Sequence, residues 1–247
     1  GNMATSEDIA RIRAQLGLER PLPAQFLDWL GGVLRGDLGE SFFAREKVST
    51  LIAQRLEPTL MLATCTIVLA VAVAVPLGTL AAWRMGGWLD RGLSLVSVLG
   101  FSVPVFVLAY ALIWLLAVKL QWLPVQGYRR LSEGLGPFAR HLVLPTITLA
   151  FVYVALIARV TRAAVSEALT EDYVRTARAK GLSETRVLLR HALAASAVPI
   201  VTVIGVGIAL LIGGVVVTET VYAIPGLGSL TVEAVLNRDF PVIQGVI

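Results

Sequence analysis

The sequence predicts an all-α, polytopic transmembrane helix bundle. Apolar residues make up 56% of the 247 positions and charged residues only 15%, with a mean hydropathy of +0.78, too oily for a water-soluble domain of this length. Long uncharged gaps recur along the chain, and the basic residues crowd into alternate loops between them.

A spanning helix needs about 20 mostly apolar residues to cross the roughly 30 Å hydrocarbon core. Four complete gaps meet that length: Pro58 to Trp83, Gly92 to Val118, His141 to Ala158 and His191 to Thr218. They predict spans at about 59–82, 93–118, 141–158 and 193–217, which with their loops form a transmembrane domain over 58–247. A further uncharged stretch opens at Phe240 as "FPVIQGVI", the start of a last span from about 240 that Ile247 cuts short.

Residues 1–57 carry seven Lys/Arg and eight Asp/Glu and contain no span, so they form a near-neutral polar segment. Within it, residues 9–38 show helical apolar spacing broken at "ERPLP", which predicts an amphipathic hairpin. Loops 83–91 and 159–190 share one face and carry nine Lys/Arg, whereas 119–140 and 219–239 share the other and carry five. The positive-inside bias therefore places the 159–192 loop in the cytoplasm and residues 1–57 outside. An outside N-terminal segment with no span before it predicts a first helix upstream of Gly1.

That cytoplasmic loop reads "RVTRAAVSEALTEDYVRTARAKGLSETRVLLR" and has no linker composition. Thr170 can cap a helix of about ten residues, with Glu171 and Asp172 in its first turn and Arg178 and Lys180 in its last. Gly181 stands at the stop, and Glu171 precedes Arg175 by four positions, the spacing of a weak ion pair. Ser183 can cap a second helix from Glu184 that runs into the next span. Tyr173, Val174, Ala177 and Leu182 give the first helix a modest apolar face. Spacing alone leaves two uses open, an anionic lipid surface or a soluble partner.

The wording of the loop resembles the coupling motif of ABC-importer permeases, in which a small-residue helix, a glycine and a following helix dock into an ATPase subunit. "EDYVRTARAKGLSE" is similar to the dipeptide, oligopeptide and nickel branch of that family. So are "LGLERPLPAQFLDWLGGVLRGDLGES" at 16–41, "LGFSVPVF" at 99–106 and "ETVYAIPGLGSLTVEAVLNRDFPVIQG" at 219–245. Where the general motif has Glu-Ala-Ala the chain has Arg175, Thr176 and Ala177, and where it ends in Leu-Pro the chain has Leu193 and Ala194.

The resemblance implies the fold of a type I ABC-importer permease, multi-pass in the bacterial inner membrane, moving di- or oligopeptides inward by alternating access. Nickel chelates and glutathione are the alternative cargoes of the same family. It implies a second homologous permease subunit, two cytoplasmic ATPase subunits and an extracytoplasmic substrate-binding protein as partners, besides the bilayer. It also turns Glu171, Asp172, Tyr173, Arg175, Ala177, Lys180 and Gly181 into candidate ATPase-coupling residues.

Other residues are candidates for the pathway or its gate. Pro104 falls inside the second span beside Ser102 and predicts a kink, which serves either the transport path or packing. Gly205, Gly207, Ala209, Gly213 and Gly214 give the fourth span small-residue spacing for close helix approach, with or without a role in the pathway. Pro225, Gly226 and Gly228 in "AIPGLGSL" mark a turn outside the membrane.

Other function classes fit the sequence less well and stay as remote alternatives. The chain has no GxxxxGK[ST] phosphate loop, so ATP chemistry falls to partners, and no cofactor, metal site or catalytic residue is expected. An intramembrane protease built on "GFSV" would need a histidine beside Ser102, yet His141 and His191 begin spans on the order of 15 Å away in depth. An ion-coupled carrier would hold charges at membrane depth, and the four gaps have none. The net charge of +4 is split between loops instead of forming a nucleic-acid patch. Cys65, the single cysteine, lies inside the first span as a small apolar residue.

Overall fold

The computed structural model describes residues 20–247, which form two compact units, one of residues 20–54 with 231–247 and one of residues 55–230. The amphipathic pattern that opens at residue 9 lies outside the described residues up to 19. Among the described residues the fold is helical throughout, with one isolated bridge between Glu40 and Lys47.

The helices are α1 (Leu22–Leu34), α2 (Val48–Trp83), α3 (Trp88–Ser102), α4 (Val105–Leu112, continued as a π-helix over Ile113–Lys119) and α5 (Leu135–Ala168). Then come α6 (Asp172–Ala179), α7 (Glu184–Arg186, continued as a π-helix over Val187–Ala192), a single turn at Leu193–Ala195 and α8 (Ala197–Val221). The chain closes with α9 (Leu227–Asn237) and α10 (Phe240–Val246). Among the described residues, α2, α5 and α8 are the helices each long and apolar enough to cross a bilayer alone.

In the larger unit α5 is the central helix and packs against α3, α4 and α8. Helix α2 presents a stripe of buried residues four apart, Leu62, Thr66, Ala70 and Ala74, while its other faces carry exposed apolar side chains suited to lipid. At Gly78 the backbones of α2 and α5 touch: a Cβ there would sit 2.6 Å from the Ala158 carbonyl oxygen. The Tyr153 ring of α5 lies over Gly207 and Gly214 of α8, where a Cβ would come within 3.4 Å of it. Fully buried Tyr222 closes this core, its hydroxyl 2.7 Å from Thr148 Oγ1.

The stretch expected as one span at about 93–118 is shared by α3 and α4, which meet at 107°. Pro104 explains the break, because it lacks an N–H and drives Val103 into an extended conformation, φ −91° and ψ 119°. Proline therefore makes a corner here instead of a kink within a continuous helix.

In the smaller unit α1 buries none of its side chains, and Gly36 (φ 78°) ends it by a turn that bonds Asp37 N–H to the Gly32 carbonyl. The loop from Gly39 to Val48 closes on itself through Val48 N–H to Gly39 C=O and Ser41 N–H to Glu46 C=O. Buried Asp239 takes the Ser41 hydroxyl at 2.5 Å and the Phe42 N–H at 3.2 Å, which ties that loop to the segment before α10.

Candidate functional site

Helix α6 ends in a Schellman motif. Gly181 adopts φ 80°, its N–H bonds the Arg178 carbonyl at 2.9 Å, and Leu182 N–H reaches the Ala177 carbonyl at 3.3 Å. A left-handed residue here favours glycine, since a Cβ costs about 1–2 kcal/mol in that conformation. Leu182 completes the motif by packing on Ala177, together with Val174, Val187 and Leu169. Arg178 then bridges the elbow with a two-pronged bond to Glu184, at 2.9 and 3.2 Å.

The start of α6 differs from the sequence expectation. Its N-cap is Glu171, not Thr170, and no side chain caps it. The Thr170 hydroxyl instead donates back to the Glu167 carbonyl at 2.7 Å, at the end of α5. The ion pair of Arg175 is with Asp172 at 3.3 Å, not with Glu171, and both partners are so exposed that it contributes little. Ser183 is the N-cap of α7 by position but makes no capping bond.

Burial divides the candidate coupling residues. Val174 and Ala177 face inward, the first with no exposed surface, which stabilises the helix by about 2 kcal/mol. Glu171, Asp172, Tyr173, Arg175, Lys180 and Gly181 all remain exposed, so Tyr173 belongs to the outer face of α6 and not to its apolar underside. Below, the π-segment of α7 places Leu188 and Ala192 against Ala82 of α2 and Val165 and Ala168 of α5.

At this same end of the bundle, Arg162 of α5 grips Asp90 of α3, with Nε to Oδ1 at 2.5 Å and Nη2 to Oδ2 at 2.9 Å. Gly86 N–H supplies a third bond to the carboxylate. The loop count took in Arg162 but not Asp90, and no spacing signal relates positions 72 apart.

The pathway and gate candidates do not form one cluster. Ser102 and Pro104 are exposed at the α3–α4 corner. Gly205 faces open space, with nothing within 4 Å of a Cβ built on it, unlike Gly207 and Gly214. Pro225 is exposed, whereas Gly226 and Gly228 are buried around one side chain, Glu219, which sequence reasoning treated as the edge of a span.

Glu219 has no exposed surface. Its carboxylate accepts the Thr59 hydroxyl at 2.5 Å, the Ser229 N–H at 2.9 Å and the Gly228 N–H, and Thr59 in turn accepts the Leu227 N–H at 2.8 Å. A Cβ on Gly226 would collide with the carboxylate; one on Gly228 would lie 2.6 Å from Val216 Cα and 2.9 Å from Glu219 Oε2. Leaving a buried polar group of this kind without its partner costs about 1–3 kcal/mol.

Nearby, half-buried Tyr128 donates to Glu57 at 3.4 Å. Burial first, and then the Glu57 charge, push its phenol up to about 12. Exposed Glu133 is held below the usual carboxylate range by the Arg130 N–H and the Arg129 side chain. Among the described residues no group of three His, Cys, Asp or Glu side chains is placed to hold a metal.

Among the described residues, helices long and apolar enough to cross a bilayer carry at one end a short helix with an exposed polar face, and these features define a membrane protein. The family model "Binding-protein-dependent transport system inner membrane component" matches residues 74–247, and "Binding-prot-dependent transport system membrane comp, N-term" matches residues 1–63. The chain is 52% identical over its whole length to the "Probable peptide ABC transporter permease protein" of Sinorhizobium fredii, covering 79% of that relative. It is 41% identical, again over its whole length, to the "Glutathione transport system permease protein" of Escherichia coli, covering 78% of it.

The chain belongs to the binding-protein-dependent transport system inner membrane component family. It is a multi-pass inner-membrane permease subunit of an ABC importer, with the type I fold, and a transport component instead of an enzyme.

Proposed function

We propose that this chain forms half of the pathway of a peptide importer, with the cytoplasmic segment 159–192 docking on an ATPase subunit. A second homologous permease completes the pathway, two ATPases supply the energy, and an extracytoplasmic binding protein delivers a di- or oligopeptide. The observation that carries this reading is α6 itself: a helix fixed from below by Val174 and Ala177, stopped by Gly181, and offering Tyr173, Arg175 and Lys180 outward.

A rigid, side-exposed helix suits force transmission better than lipid anchoring. Its underside already packs on Val187 and its ends are fixed by backbone bonds, so a push on it moves α7 and the span that follows. Ser102, Pro104, Gly205, Pro225, Gly226 and Gly228 are the pathway and gate candidates in this scheme. Peptide cargo rests on the printed names of the relatives, and the glutathione name at 41% identity keeps that tripeptide as the second cargo to test.

Reconstitution with the partner subunits tests both parts. Gly181→Pro combined with Tyr173→Asp should abolish co-purification of the ATPase and ATP-driven uptake of labelled dipeptide. Normal uptake in that variant would sink the docking role, and competition between dipeptide and glutathione for binding-protein-dependent uptake decides the cargo.

A further inference from the structure

The glycines of "IPGLG" fit the pattern of a flexible hinge, and the structure gives them another purpose. The geometry points to Glu219 as a positioning residue for transport: with Thr59 it rivets the first turn of α9 to the ends of α2 and α8, so that the three move as one body. This rests on the importer reading above, in which these ends face the extracytoplasmic side.

Three observations meet at this carboxylate. It is fully buried and held by a hydroxyl and two backbone N–H groups. Thr59 works in both directions, donating to Glu219 and accepting from Leu227 N–H, so α2 holds α8 and α9 through one oxygen. Gly226 and Gly228 leave room for the carboxylate and for nothing more, which makes them the wall of a socket.

The donors depend on the acceptor as much as the reverse. The first N–H groups of a helix have no intrahelical partner, and in α9 those of Leu227, Gly228 and Ser229 are satisfied by Thr59 and Glu219. Separation would strand a buried carboxyl group and three donors together in a water-poor site. The link therefore stays closed through the transport cycle, and motion of α8 passes directly to α9.

The test uses the full complex in lipid nanodiscs and in proteoliposomes. Glu219→Gln should speed amide hydrogen exchange over residues 226–230 by roughly tenfold, the loss expected when a buried backbone donor is left without its acceptor. Exchange in α5 should not change. Uptake should fall by a similar factor while the ATPase still co-purifies, because α6 lies at the other end of the bundle. Thr59→Val should behave alike, and Thr59→Ser, which keeps the hydroxyl, should behave as wild type.

A cross-link between Thr59→Cys and Leu227→Cys, in a Cys65→Ala background, should keep uptake at or above that of the same variant with its thiols reduced. Unchanged exchange over residues 226–230 in both Glu219→Gln and Thr59→Val would overturn the proposal. So would loss of uptake on cross-linking that a reductant restores, since that marks a contact that must open. Failure of the wild-type complex to bind its ATPase would sink the coupling reading instead, and the exchange comparison would still decide this one.

Discussion

Asp90 and Arg162, 72 positions apart, join α3 to α5 by two parallel bonds of 2.5 and 2.9 Å, with the carboxylate side chain 8% exposed and the guanidinium 33%. This pair sits at the end of the bundle that carries α6, where any push from a partner enters. Its geometry is of the strong, charge-assisted kind.

Asp90→Asn should therefore lower the stability of the permease by about 2–3 kcal/mol, less than a wholly buried pair because Arg162 keeps some water. Thermal unfolding in detergent measures it. The exchanged pair, Asp90→Arg with Arg162→Asp, should recover part of the loss in a double-mutant cycle. Additive losses would show that the two side chains act independently.

At Gly181 substitutions should rank by their tolerance of a positive φ. Gly181→Asn should be mildest, Gly181→Ala should destabilise the elbow by about 1–2 kcal/mol, and Gly181→Pro should be worst because it also removes the N–H to Arg178. Co-purification of the ATPase across the series checks this. Equal retention of the partner by all three would show that the elbow's shape is irrelevant to docking.

The stop of α6 was legible because its signals are local: a glycine and a basic last turn within four residues. The helix start was not, since Thr170 had a carbonyl of its own chain in reach and took it. Glu219 escaped notice for a different reason. A search for uncharged gaps places every carboxylate at a boundary, whereas this one is drawn inside by Thr59, 160 positions away. The glycines of α8 show the same limit, because spacing marks them all as small and only the position of Tyr153 decides which are crowded.

Tyr128 gives a pH dependence of known sign. Its folded pKa of about 12 lies above the ordinary value of 10.0, so its contribution to stability is complete below pH 10 and is lost as pH rises through about 12. Ultraviolet difference titration of wild type against Tyr128→Phe should find no tyrosinate from this residue at pH 10. Ionisation at the ordinary value would mean that its half-buried site beside Glu57 is open to water.

Gly226 and Gly205 should respond oppositely to the same methyl group. Gly226→Ala forces a Cβ into the Glu219 carboxylate, which Thr59 and Ser229 prevent from moving aside, so a loss of several kcal/mol is expected, of the order seen on overpacking. Gly205→Ala meets nothing within 4 Å and should leave the isolated subunit as stable as before, or firmer by up to about 1 kcal/mol through helix propensity. Unfolding midpoints of the two variants, each also made with Glu219→Ala, separate collision from flexibility. If the glycine at 226 serves to fill a socket, removing the carboxylate should relieve much of the damage done by Gly226→Ala. A hinge would gain nothing from that removal, because its defect would be in the backbone and not in the space beside it.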